Sequence, residues 1–357
     1  MAPPSLLVML ACAVLSASGA TGLRIRLTRI PSIANPDAAA SELILEALRH
    51  DMSRNGRLVG RELASSDTTI TAPTRNDGDG GLQYLMTLAI LDTGSNVIMT
   101  QCAPCGTECG FGPSAPLYDP SASTTVAELP CNSSLRAGIC VTTADYGAPP
   151  GCPCSHKQSY GEGWVIYTLA METLTFGSTA VPGMAFSCIN SSCGDWGGAA
   201  GKVGLGRGNL SLVKQLLAGR FSYCLTPYHD GNGTSTLLIG PAATLDGTTG
   251  AISSTPFVAG PSEGTKSTLY YLNLTGISIG STLLPIPADA FALSADGGGR
   301  IIIDSGWTTT SLVDVAYQRV RAEILSLVKL QPIDAPLTKL ELCFNASGES
   351  ATWPSHA

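Results

Sequence analysis

The sequence predicts an all-β protein built from two similar halves. Three observations carry that expectation. The 357 residues are 44% hydrophobic, with 40 Gly and 23 Pro and few strong helix formers, a composition that suits many short strands joined by turns. Apolar, β-compatible runs recur, such as YLMTLAIL from Tyr84 to Leu91. One phrase is duplicated: an apolar strand followed by Asp, a small hydroxyl residue and Gly, once at ILDTGS (90–95) and again at IIIDSG (301–306).

From the start, residues 1–20 read as a secretory signal. The stretch 6–15 is apolar, and small residues Ser18, Gly19 and Ala20 end it. The run is too short to span a membrane comfortably, and no later stretch is long and apolar enough. A leader over 21–72 follows. It holds seven Arg against five acids between 24 and 62, in a chain of net charge −7, so it is expected to dock on an acidic body by charge. Leu43, Leu45, Leu48 and Met52, with Ser41 as a cap, predict a helix over 41–63. The polar, turn-rich stretch 64–81 reads as a linker or processing region. The acidic balance gives no reason to expect a nucleic-acid partner.

Twelve Cys point to an oxidising compartment, and eleven remain once Cys12 leaves with the signal. Seven lie between 102 and 154: Cys102, Cys105, Cys109, Cys131, Cys140, Cys152 and Cys154. CAPC (102–105) has metal-ligand spacing, but no His matches it, so disulfides of unread connectivity are expected and no metal. Six N-x-[ST] triplets (Asn132, Asn190, Asn209, Asn232, Asn273, Asn345) fit a secreted glycoprotein. Further along, helices are predicted over 210–218 and 314–330, the second with Val313, Tyr317, Val320, Ile324 and Leu327 on one stripe. Strands are predicted at 235–240 and 269–279.

The duplicated phrase has a physical logic. Each strand delivers an Asp, Asp92 or Asp304, to a turn. The hydroxyl of Thr93 or Ser305 can bond across to the opposite turn. Gly94 and Gly306 permit a close backbone approach, so amide N–H groups can point at the carboxylates. Two carboxyls brought together cannot both ionise cheaply, so the pair holds one proton over a range of acidic pH. One member can then activate water while the other serves as acid.

LDTGSNVIMTQCAPC (91–105), QSYGEGW (158–164), VGLGRGNLSLVKQL (203–216), RFSYCLTPY (220–228) and IIIDSG resemble plant pepsin-type aspartic proteases of the nepenthesin-like group. The resemblance covers most of the chain. It implies a two-lobed pepsin-like fold with few short helices, with residues 73–240 as first lobe and 241–357 as an incomplete, truncated second lobe. The segment 102–154 resembles the group's cysteine-rich insert, and the leader its propeptide. It further implies Asp92 and Asp304 as the catalytic dyad, supported by Thr93, Gly94, Ser95, Ser305 and Gly306, and Tyr160 with Gly161 as the flap over substrate. Protein or peptide substrates, no cofactor, a monomeric state and a secreted or vacuolar location are the matching expectations. A non-catalytic relative resembling plant xylanase inhibitors is the alternative.

Several positions depart from that pattern. About ten residues are missing between YLMTL and LDTGS, which is expected to remove a strand and turn beneath the first Asp. The chain stops 53 residues after Asp304. Trp307 stands where the family has a hydroxyl residue, so its indole is expected to press on the dyad. Met99 replaces a Trp, and Lys202 occupies a position usually buried and apolar, where an unpaired ammonium is costly. Other chemistry is weakly represented: there is no G-x-S-x-G, and GLGRG (204–208) lacks phosphate-loop spacing.

Overall fold

The structure, a computed structural model, describes residues 13–16, 23–29, 71–72, 84–86, 89–104, 117–130, 132–136, 155–160, 163–176, 179–193, 199–224, 234–244, 252–262, 265–292, 300–307, 310–333 and 341–344. The helix expected over 41–63 lies outside these residues, as do Gly161 and Cys105, Cys109, Cys131, Cys140, Cys152 and Cys154.

Thirteen strands share one sheet. They are β1 (Ala13–Ser16), β2 (Leu23–Arg29), β3 (Thr71–Ala72), β4 (Tyr84–Met86), β5 (Ala89–Asp92), β6 (Ile98–Gln101), β7 (Ala127–Glu128), β8 (Ser155–Tyr160), β9 (Gly163–Phe176), β10 (Thr179–Cys193), β11 (Gly201–Gly204), β12 (Arg220–Cys224) and β13 (Thr234–Ile239). Their order is β1-β12-β13-β2-β4-β5-β11-β6-β10-β9-β7, with β3 on β2 and β8 on β9. The leader therefore docks by main-chain pairing, with β2 running between β13 and β4, while β1, within the stretch read as a signal, pairs with β12.

The pattern of side chains explains the sheet. Along β9, Val165, Tyr167 and Leu169 are buried at every second position, the period of a strand with one face on a core. They pack with Val97, Met99, Leu129, Ile189 and Leu210. β9 and β10 form a long hairpin whose register shifts between Val181 and Met184, where Gly183 has φ +68°. β11 is buried throughout, parallel to β5 and antiparallel to β6. A central strand of this kind must be small or apolar on both faces, which Gly201, Val203 and Gly204 satisfy and Lys202 does not. A second cluster, with Leu91, Val203, Leu205, Phe221, Tyr223, Leu237 and Tyr270, packs beneath the first Asp strand.

Despite the missing residues before LDTGS, β5 keeps a neighbour on that side. β4 and β5 form a tight antiparallel pair, Met86 opposite Ala89. Cys102 bonds to Cys188, a partner outside the cysteine-dense stretch.

After β13 come β14 (Tyr271–Leu272), β15 (Ser278–Ile279), β16 (Thr282–Leu283), β17 (Ile301–Ile302), β18 (Pro332–Ile333) and β19 (Cys343–Phe344), paired β14–β17, β15–β16 and β18–β19. Ile302 on β17 is 39% exposed. The helix expected over 210–218 is the single turn α1 (Leu212–Gln215), capped by Ser211 Oγ accepting from Lys214 N and stopped where Leu217 takes φ +49°. α2 (Asp314–Leu327) is nearly as expected. Tyr317, Val320 and Ile324 are half-buried, but Ala316 is its buried residue and Val313 and Leu327 at the ends of the stripe are exposed. No helix among the described residues is long and apolar enough to cross a membrane.

Candidate active site

β5 ends on Asp92, and the chain turns through Thr93 and Gly94. Gly94 N donates to Asp92 Oδ1 at 2.8 Å. The mirror arrangement holds after β17, where Gly306 N donates to Asp304 Oδ1 at 2.9 Å. In each turn the residue two beyond the Asp is Gly, and at the first the reason is spatial. A methyl group built on Gly94 would sit 2.1 Å from Asp304 Oδ2. Because both contacts meet at Gly94, standard backbone dimensions keep the two carboxylates within about 7 Å of each other.

The two turns are tied to each other through the hydroxyl residues. Thr93 N donates to Ser305 Oγ at 3.1 Å, and Ser305 N donates to Thr93 Oγ1 at 2.8 Å. Each hydroxyl then donates onward across the junction, Thr93 Oγ1 to Ile303 O at 3.4 Å and Ser305 Oγ to Leu91 O at 3.1 Å. Beneath the first turn, the run GLGRG serves as packing backbone. Leu205 N donates to Asp92 O at 2.7 Å and Gly206 N to Ser95 O at 2.8 Å. Asn96 extends the link to the second half, accepting from Gly208 N at 2.7 Å and donating to Thr268 Oγ1 at 2.7 Å.

The carboxylates differ in setting. Asp92 is 1% exposed, whereas Asp304 is half-buried. Lys202 Nζ lies 3.1 Å from Asp92 Oδ2, with both side chains buried. The ammonium is thus paired. Ser95 Oγ, three residues along the turn, is buried and finds no partner among the described residues. Tyr223 on β12 senses the other carboxylate: burial, and then the negative charge of Asp304, push its phenol up to about 12. Tyr270 OH donates to Leu205 O at 2.7 Å, fixing the strand behind Asp92.

Tyr160 ends β8 opposite Gly163, at the tip of the β8–β9 hairpin. Trp307 is half-buried, and its amide donates to Asp304 O at 3.3 Å. Met99 belongs to the core. Asn209, one of the six glycosylation triplets, is buried, so it is a poor acceptor in the folded chain. Among these, sequence reasoning flagged Lys202 only as an anomaly and passed over Asn96 and Tyr223. A single charge inside AAGKVGLG was the available signal for the first. Taken together, the arrangement offers two neighbouring carboxyl groups, one open and one closed, able to hold and exchange a proton with a water between them.

The chain is similar to known proteins over most of its length. The family model described as xylanase inhibitor N-terminal matches residues 81–241, and that described as xylanase inhibitor C-terminal matches 269–356. Aspartic proteinase nepenthesin-1 of Nepenthes gracilis is 40% identical over 286 residues, covering 76% of this chain and 62% of that one. Aspartic proteinase nepenthesin-2 of the same plant is 34% identical over 343 residues, covering 93% of this chain and 74% of that one. The crystal structure of edgp superposes with a TM-score of 0.49 at 19% identity, over 74% of this chain and 72% of that one.

Proposed function

Because this chain belongs to the plant pepsin-type aspartic proteinases of the nepenthesin-like group, we propose that it is the precursor of an aspartic endopeptidase working at acidic pH, with Asp92 and Asp304 as its dyad. The observation that carries this reading is the reciprocal bonding of Thr93 and Ser305, which brings the two Asp turns together. A water between the carboxylates gives a proton to one of them as its oxygen attacks the peptide carbonyl carbon. The other carboxyl gives its proton to the carbonyl oxygen, and the carbonyl π bond becomes the second hydroxyl of a tetrahedral diol. Tyr160, at the hairpin tip, caps the substrate together with Gly161. The substrates are proteins or peptides, and the protein is monomeric. The disulfide and the leader support a secreted or vacuolar location.

The test is cleavage of acid-denatured globin with and without a dyad-directed statine inhibitor, using Asp304→Asn as the inactive control. Inhibitor-sensitive cleavage that the control lacks is expected. No cleavage, or cleavage the inhibitor does not touch, overturns the reading.

A second reading is favoured by one observation, the ammonium of Lys202 against Asp92. A non-catalytic pepsin-fold protein that binds a glycosidase, as the names of the matching family models suggest, would show no proteolysis yet inhibit a xylanase.

A further inference from the structure

β11 is a buried central strand, and Lys202 is the charged residue in its AAGKVGLG run. The strand register sets Lys202 beside Ile90 of β5 on one side and Met99 of β6 on the other. Neither neighbour can receive an ammonium. Its Nζ instead lies 3.1 Å from Asp92 Oδ2. Asp92 Oδ1 takes the Gly94 amide, so each of its oxygens has a donor. Ser95 Oγ, close by in the turn, is left without a partner among the described residues.

An ammonium in contact with a carboxylate favours the ionised form, and the effect falls off with distance. Asp92 therefore feels Lys202 directly, at contact distance. A dyad of two equivalent carboxyls shares its proton without a preferred owner. Here the equivalence is broken from inside the first half.

We infer that Lys202 is a positioning residue that acts through Asp92: it holds Asp92 ionised and places the dyad's single proton on Asp304. This rests on the dyad reading above. Asp92 is then the base that takes the proton from water, and Asp304 the acid that protonates the carbonyl oxygen. The doubly ionised dyad is stabilised as well, so the pH range in which the pair holds one proton moves to lower pH. Tyr223 faces Asp304 from β12 and stays protonated throughout that range. β6 contributes Met99 and Gln101, which do not titrate, and Tyr84 is the titratable residue of β4.

The decisive experiment follows the Asp carboxyl carbons by 13C NMR against pH in the full chain, with resonances assigned through Asp92→Asn and Asp304→Asn. In the native chain Asp92 should remain ionised to the lowest pH and Asp304 should carry the later-lost proton. In Lys202→Met the Asp92 step should rise by about one pH unit or more, while Lys202→Arg should keep the native order. Protonation of Asp92 before Asp304 on acidification of the native chain overturns the inference, whether or not Lys202→Met folds. So does an unmoved Asp92 step in Lys202→Met. The readout does not need proteolysis. Failure to cleave globin would sink the peptidase reading and leave the titration order intact, and an unaltered titration would sink this inference and leave cleavage intact.

Discussion

Thr93 and Ser305, 212 positions apart, exchange hydrogen bonds in both directions, backbone amide to hydroxyl. Each hydroxyl also donates to a carbonyl of the opposite Asp segment, so four hydrogen bonds tie the two turns together. Thr93→Val keeps the shape but leaves the Ser305 amide without its acceptor. We expect a loss of about 1–3 kcal/mol in urea unfolding. Because the carboxylates are set by these turns, kcat should fall by roughly 10–100-fold with KM little changed. Thr93→Ser should retain both stability and rate, and an equally impaired Thr93→Ser would show that the methyl, not the hydroxyl, matters.

The Lys202–Asp92 pair predicts that the two halves of the dyad respond unequally to neutralisation. Removing one member of a buried ion pair leaves an uncompensated charge and costs about 3–5 kcal/mol. Asp92→Asn should show that loss. Asp304, half-buried rather than fully buried, should tolerate Asn at about 1 kcal/mol or less. Asp92→Asn combined with Lys202→Met should recover most of the difference. Equal thermal midpoints for the two single variants would mean that the pair contributes nothing.

The Asp turns were legible because their information is local. An apolar strand, an Asp, a hydroxyl and a Gly lie within six residues and occur twice. Even the cross-bonding of Thr93 and Ser305 follows from that short phrase. What Lys202 meets is not local. It depends on β11 running parallel to β5, a pairing between segments far apart in sequence, so only its oddity in an apolar run was visible. Cys102 likewise pairs with Cys188 rather than within the dense stretch, because β10 lies beside β6. The charge of the leader pointed to electrostatic docking, but main-chain amides and carbonyls offered by β13 and β4 decide where it lies. α1 fell short of its apolar pattern because one residue, Leu217, turns left-handed.

Glu172 predicts how the first half withstands acid. It is 6% exposed and accepts from Ser123 Oγ at 2.6 Å, Thr173 N at 2.6 Å, Thr125 Oγ1 and Tyr118 OH. Burial alone would raise its carboxyl, but the donors outweigh it and hold the group down from 4.5 to about 2. A depressed folded value means a contribution present above the ordinary 4.5 and lost as pH falls through about 2. The stability gap between the native chain and Glu172→Gln should therefore be widest above pH 4.5 and close as the pH approaches 2. Urea midpoints measured across that window check it. A gap that grew on acidification would have the wrong sign.

Gly204 is where β11 passes closest to the Asp92 turn. A Cβ there would lie 2.5 Å from Val97 N, 2.7 Å from Asn96 C and 2.8 Å from Ser95 O, all main-chain atoms that no rotamer change can move. The same residue donates its amide to Val97 O at 3.1 Å, so it cannot back away without breaking the link. Gly204→Ala should cost about 3 kcal/mol or more, by overpacking. It should also displace the turn that carries Asp92, so activity should fall beyond what unfolding explains. Gly280→Ala separates space from backbone conformation. Gly280 has φ +58° and nothing within 4 Å of a new Cβ, so its substitution should cost only the left-handed strain of about 1–2 kcal/mol and leave hydrolysis unchanged. If Gly204→Ala were as mild as Gly280→Ala, the close passage of β11 beneath the Asp92 turn would be wrong.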